Sequence, residues 1–553
     1  MDQLKEKLKS AECPSNWGLA EFKDRKPATF IIDKLLNRQE EIADSWYHVC
    51  INLTVAYLHS ENKDVTKAIG ILEECDSILN STTDDLIVKY KPAILSVYNA
   101  SKASILSLSS TPSEVKMFSD KVVRIEDLDV QNQAALLALK ANVFSKFGVS
   151  GSNIALQYAK EALKKNDKEA EWHFLLGKLL GRLRHFTEDH EISPAEISYL
   201  KTAFNLAGTS CSATFLANAY IQKSKTLHFE KYKTGICPAK EIRDKIHRYS
   251  AKAKELMKIA LDRNQNKDVN ILIRCAFGYA NLPHRYRELS KAKNLLEESL
   301  KRSPSNPTAN KLCGDLCLKE DKPPYDKALG HFEIAASGNV FKAHLEAFDI
   351  KIKLGLNPDA EDFYAKMLEQ FTENHYRKLI FVHAIAFYLF IRRDLCAAVN
   401  YFMNAIDLDK NFHALTGHWV KYIKMKLDLY QLISNEVRYS IDNQTHHDSN
   451  QLNLLKNALE KISEINPTLL AFPVVPNKVQ DYLDMYGSKN ENISRKGYGG
   501  GTDKGGRGRG SSFRLRRKFK PYRTRTSDYN DQKQAINESQ ALGSKENDNN
   551  QQS

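Results

Sequence analysis

Residues 289–335 read LSKAKNLLEESLKRSPSNPTANKLCGDLCLKEDKPPYDKALGHFEIA. Within this stretch Ala292, Leu296 and Ser299 recur 36 residues later as Ala328, Phe332 and Ala335. Steps of four and three place each triplet on one face of a helix. The small residues let a neighbouring helix approach closely, and the large one fills the gap between the two axes. Pro304 and Pro307 mark a turn, after which KLCGDLCL (311–318) reads as the partner helix, with Gly314 where the two helices cross. Leu176-Gly177 follows the helix over 155–162 in the same way.

Working outward, the triplet appears again as Ala68/Leu72/Cys75, Ala155/Ala159/Ala162, Ala253/Met257/Ala260, Ala360/Tyr364/Met367 and Ala398/Phe402/Ala405, with a weaker copy at Glu196/Leu200/Ala203. The last four intervals are 39, 36, 32 and 38 residues, close to the roughly 34-residue period of a tetratricopeptide repeat. One triplet means little, but seven at near-constant spacing predict an all-α, TPR-type helical solenoid. The earlier intervals of 87, 41 and 57 residues call for inserted helices, most clearly over Leu227–Tyr249. Beyond Tyr430 the repeat fades, and Leu452–Ile465 and Val479–Met485 read as capping helices on either side of the breaker run Pro467–Pro476. The body is expected over 1–488 and a disordered, basic tail over 489–553.

Composition agrees. The 553 residues are 42% hydrophobic, enough for a large folded body. Net charge is +13, but Arg495 to Arg525 alone hold twelve basic residues and one acid, leaving +2 for the rest. Eight of the 24 glycines fall between Gly497 and Gly510, so the body is poor in glycine, which favours helix. The nine cysteines form no CxxC pair, and Cys313 and Cys317, one turn apart, read as small core residues. A reducing, intracellular compartment follows. The opening MDQLKEKLKSAECPSNW is charged, without a signal peptide's apolar stretch. The most apolar window, Leu379–Phe390, suits a buried helix better than a span. No membrane association is expected.

Catalytic motifs are absent: the sequence holds no phosphate loop, nucleophile elbow or HExxH. The glycine run GYGGGTDKGGRGRG (497–510) follows no strand and opens no helix, and His446-His447 sit in a polar loop. Neither enzymatic activity nor a metal or cofactor is expected. Solenoids of this kind bind through an extended surface. The tail supplies the sharpest signal. Arg507, Arg509, Arg514, Arg516, Arg517, Lys518, Lys520 and Arg523 offer charge to phosphates. Phe513, Phe519 and Tyr522, with Tyr498, offer rings on which unpaired bases stack. Nuclear import or plain solubilisation would draw on the same composition.

Several stretches resemble the interferon-induced proteins with tetratricopeptide repeats: LKSAECPSNWGL (8–19), IIDKLLNRQEEIADSWYHVCINLTVAYL (31–58), KAIGILEECDSIL (67–79), LGKLLGRLRHF (176–186) with EISPAEISYLKTAFNLA (191–207), and KALGHFEIAASGNVFKAHLEAFDIKIKLG (327–355). The resemblance spans about residues 5 to 430. It implies repeats coiled around a basic pocket that holds the 5′ end of single-stranded RNA, with Gln39, Arg182 and Arg274 at pocket positions. The aromatic residue that cap-binding members stack on the cap base corresponds to Ala134, which argues against cap stacking here. The near-neutral body and the RG tail also depart from that family. The expected function is thus a cytoplasmic single-stranded RNA-binding solenoid acting in antiviral defence or translational control. The alternative is a TPR scaffold that holds peptide segments of protein partners, its tail serving location or ribonucleoprotein association.

Overall fold

Every residue of the eight triplets is buried, at most 4% exposed. The spacing therefore marks the packed faces, as a 3.6-residue period requires. The crossing glycines fit too. A Cβ at Gly314 would lie 2.7 Å from the Phe332 ring, and one at Gly177 would lie 2.6 Å from Leu200 Cγ. Each glycine thus seats the large residue of the neighbouring triplet, and no other side chain leaves that room. The computed structural model describes residues 2–22, 28–39, 44–186, 191–234, 240–264, 268–445 and 448–485.

Two kinds of helix alternate along the chain. Val65–Ser81, Gly148–Lys165, Leu289–Arg302, Tyr325–Ser337 and Ala360–Gln370 bury little more than their triplet stripe. Their partners are buried on most sides: Ser45–Glu61 buries 13 of its 17 residues, and Val130–Phe144 buries 11 of 15. A helix buried all round cannot show a clean amphipathic stripe, so the partner helices are the less legible half of each repeat. Asp44, Asp64, Asp129, Ser193, Asn306, Asp359, Asp394 and Asp428 cap helices by accepting from the backbone N–H three residues on, a first-turn donor that a helix leaves unsatisfied.

The long early intervals resolve in two ways. Between Ala68 and Ala155 there are extra helices, Asp85–Lys89, Lys91–Leu106 and Pro112–Ser119, as expected. The segment Leu227–Tyr249 does not add helices. It lengthens a pair already present, Ser210–Thr234 and Lys240–Asp262 (25 and 23 residues). On the second helix Ile242, Ile246 and Tyr249 keep the steps of four and three. The apolar window lies in the buried helix Asn374–Phe387 and the π-helical turn Tyr388–Arg392. No described helix is long and apolar enough to cross a membrane.

The last repeat departs from the all-α pattern. After Leu395–Asp409 the expected partner helix stops at Gly417, and strands His418–Val420 and Met425–Leu427 pair antiparallel as a hairpin. Trp419, Val420, Tyr422 and Ile423 favour strand over helix. Leu429–Asp442, Ser449–Ile465 and a helix over 478–485 close the described body. The chain divides between Tyr486 and Gly487, and the second unit lies outside the described residues.

Candidate nucleic-acid interface

Tyr47 sits in the first turn of Ser45–Glu61, its backbone N–H donating to Asp44 at 3.1 Å. Two ammonium groups share its ring. Lys146, just past Val130–Phe144, has Nζ 4.1 Å from the ring centroid, and Lys178, on Ala170–Phe186, has Nζ at 5.0 Å. Lys178 Nζ also lies 5.7 Å from the Phe174 ring, one turn earlier on its own helix. Phe174 meets Phe215 edge-on at 5.0 Å, and the Arg274 guanidinium lies 4.3 Å from the Phe215 centroid. Lys146, Tyr47, Lys178, Phe174, Phe215 and Arg274 thus form one ladder of cations and rings drawn from five segments. A cation held over a ring's quadrupole gains about 0.5–2 kcal/mol.

Two carboxyl groups lie in the same neighbourhood. Burial, together with the nearby Asp44 charge, pushes the half-buried Glu171 up to about 8. Burial also raises Asp44, with Asp84 adding to the rise. A Glu171 that keeps its proton near neutral pH leaves the cations of the ladder in excess. The thiols nearby are inert: burial pushes Cys50 up to about 12 and Cys211 up to about 11, in spite of Lys146 and Lys178 near the first and Arg274 near the second.

Arg274 joins the ladder directly. Arg182 is one helical turn beyond Lys178 and half-buried. Burial raises the Tyr376 phenol, Glu373 adds to that rise and Arg182 opposes it, so this turn lies near the start of Asn374–Phe387. Its neighbour Arg184 is differently occupied: Nε and an NH2 group donate to Glu196 at 3.1 and 3.3 Å, and both side chains are nearly buried. Gln39 is the last residue of Ala28–Gln39, and its side chain lies outside the described residues. Ala134 is fully buried, so that position faces packed helices and no groove. The tail positions Arg507, Arg509, Phe513, Arg514, Arg516, Arg517, Lys518, Phe519, Lys520, Tyr522 and Arg523, and His446-His447, also lie outside the described residues.

Tyr47, Lys146, Lys178, Phe174 and Phe215 escaped the sequence reading. Lys178 was within reach, since it stands four residues before Arg182 and shares its helical face. Lys146, in ANVFSKFG, carries no local signal. Among the described residues no group of three or more His, Cys, Asp or Glu side chains could hold a metal ion.

No family profile matches this chain, and no curated protein matches it by sequence. Solved structures do. A human IFIT1 dimer with m7Gppp-AAAA is 16% identical, with a TM-score of 0.58 over 88% of this chain and 99% of that one. A human IFIT1 dimer with PPP-AAAA is 17% identical, with a TM-score of 0.56 over 89% and 100%. A monomeric IFIT1 mutant with Gppp-AAAA is 16% identical at a TM-score of 0.58. This chain shares their fold. At such identity the likeness extends to the path of the helices and no further.

Proposed function

We propose that this protein holds the 5′ end of single-stranded RNA on the Lys146–Tyr47–Lys178–Phe174–Phe215–Arg274 ladder, with Arg182 adjoining it, and performs no chemistry on it. The observation that carries the reading is the ladder itself. Donors spaced by rings suit a phosphate chain, and the raised Glu171 removes a competing negative charge. The shared fold supports it, since the similar IFIT1 structures hold PPP-AAAA and capped AAAA. The buried Ala134 speaks for phosphate recognition over cap stacking. The basic tail, 489–553, adds a second, sequence-tolerant contact. Antiviral defence or translational control in the cytoplasm is the setting we infer.

The test compares the wild-type chain with a Lys146→Ala/Lys178→Ala double variant, using 5′-triphosphate and 5′-hydroxyl RNA of one sequence. The wild type should prefer the triphosphate. The double variant should lose about 3 kcal/mol of that binding, from two charged contacts of ~1.5–3 kcal/mol each, less their residual solvation. Loss of the tail should weaken both RNAs and flatten the salt dependence. Equal binding of the two RNAs by the wild type would refute the 5′-end reading.

A further inference from the structure

The hairpin that replaces the last repeat helix has two unlike faces. His418, Val420, Met425 and Leu427 turn toward the body, with Val420 and Leu427 buried. On the other face Trp419 pairs with Lys426 across the strands. Trp419 is 56% exposed, while the other three tryptophans of the chain, Trp17, Trp46 and Trp172, are at most 8% exposed. A two-stranded hairpin is marginal alone, and here it is fastened. Lys421 Nζ lies 2.7 Å from Glu346 and 3.2 Å from Asp349, and the Tyr422 hydroxyl donates to Asp349 at 2.8 Å. The Lys426 stem crosses Gly417, where a Cβ would come within 2.6 Å of its Cε. Lys424 stands in the turn with φ +49°.

We propose that this hairpin is a stacking platform for an unpaired base of single-stranded RNA, with Trp419 as the ring and Lys426, its partner across the strands, as the phosphate contact. The proposal rests on the RNA reading above and extends it to a second place on the chain. Three features select this occupant. In the hairpin Val420, Ile423 and Leu427 are buried, and Tyr422 and Met425 are partly buried against the core, so Trp419 is the one largely exposed apolar side chain, too small a patch to dock a protein. The lysines beside it disfavour both the basic tail and the same hairpin of a second copy. A flat ring paired across the strands with a lysine matches the alternation of base and phosphate along a strand. The fastened strands hold the ring in place before binding, which lowers the ordering cost.

The sequence supplies its own probe, because Trp419 is the exposed tryptophan. The full chain is titrated with a labelled oligoadenylate, following label anisotropy and tryptophan fluorescence together. Binding should quench the acrylamide-accessible component of the fluorescence. Trp419→Phe should abolish that quenching and keep the affinity. Trp419→Ala should keep the helical circular dichroism and weaken binding about tenfold, within the ~1–3 kcal/mol of one stacked base. Lys426→Ala should lower the salt slope by about one. If anisotropy reports binding while the fluorescence is unmoved and Trp419→Ala binds as the wild type does, the hairpin is no RNA contact and the ladder reading stands. If the wild type does not bind the oligoadenylate or any 5′-phosphorylated strand, both readings fall.

Discussion

The ladder at Tyr47 and the cluster around Asp349 both gather charge within helical repeats, and they treat it in opposite ways. At Tyr47 the cations rest on rings, and the carboxyl groups beside them are pushed toward their neutral form. At Asp349 charge is neutralised inside the fold. The Asp349 carboxylate accepts from His383 at 3.0 Å, Tyr422 at 2.8 Å and Lys421 at 3.2 Å, and His383 in turn meets the Tyr364 hydroxyl at 3.0 Å. Burial alone would raise Asp349, but the charges of His383 and Lys421 and the Tyr422 hydroxyl outweigh it and hold the carboxyl well below its usual range. The contrast separates charges paired with one another inside the fold from cations stacked on aromatic rings. It also runs within one turn of one helix, where Arg184 is committed to Glu196 and Arg182 is not part of that pair.

The comparison breaks most readily at the committed charges. Asp349→Ala removes the buried carboxylate that His383 and Tyr422 meet, leaves Lys421 with Glu346 alone, and should cost roughly 3–5 kcal/mol. Unfolding of the C-terminal repeats by heat would register the loss, with the preference for 5′-triphosphate over 5′-hydroxyl RNA retained at low temperature. A small loss would mean that the network is ornamental to stability. Arg184→Ala leaves the Glu196 carboxylate buried and should cost about 3 kcal/mol. Arg182→Ala should leave the melting curve alone and remove ~1.5–3 kcal/mol of binding to 5′-phosphorylated RNA, with Arg182→Lys in between. A stability loss at Arg182 to match that at Arg184 would erase the distinction between the two arginines.

The two regions also differ in their response to pH, with opposite signs. Glu171 titrates near 8 when folded and near ~4.3 when unfolded. Between those values the native state keeps a proton that the unfolded chain releases, so local stability falls as pH rises through that window. Burial, with the charges of His383 and Lys421, lowers His418 to about 4. The unfolded chain takes up that proton near pH ~6.5, so stability around the hairpin falls as pH drops from there toward 4. The depressed Asp349 adds to this loss in more acidic solution. Hydrogen exchange followed peptide by peptide should show Ala170–Phe186 loosening toward pH 8 and His418–Leu427 loosening toward pH 5. Glu171→Gln should flatten the first trend and spare the second.

Much of the fold was written in local spacing. A triplet with steps of four and three states which face of a helix is covered, and the crossing glycines state where the neighbour passes. These are properties of residues within one or two turns of each other, and period alone settles them. Arg184 and Arg182 look alike by that criterion, and so do the lysines at 146 and 178 among the 81 basic residues. What separates them is the company each keeps across the repeats.

The all-α, repeat-built body was therefore determined by the sequence itself, because helix periodicity and close packing are short-range. The tertiary structure alone decided that Lys146 and Lys178 meet over Tyr47, about a hundred residues earlier in the chain, and that Arg274 reaches the same line through Phe215. It also decided that the hairpin turns Trp419 outward while the other tryptophans are buried. Those meetings depend on how successive repeats rotate against one another, a long-range sum of packing that no single stretch records.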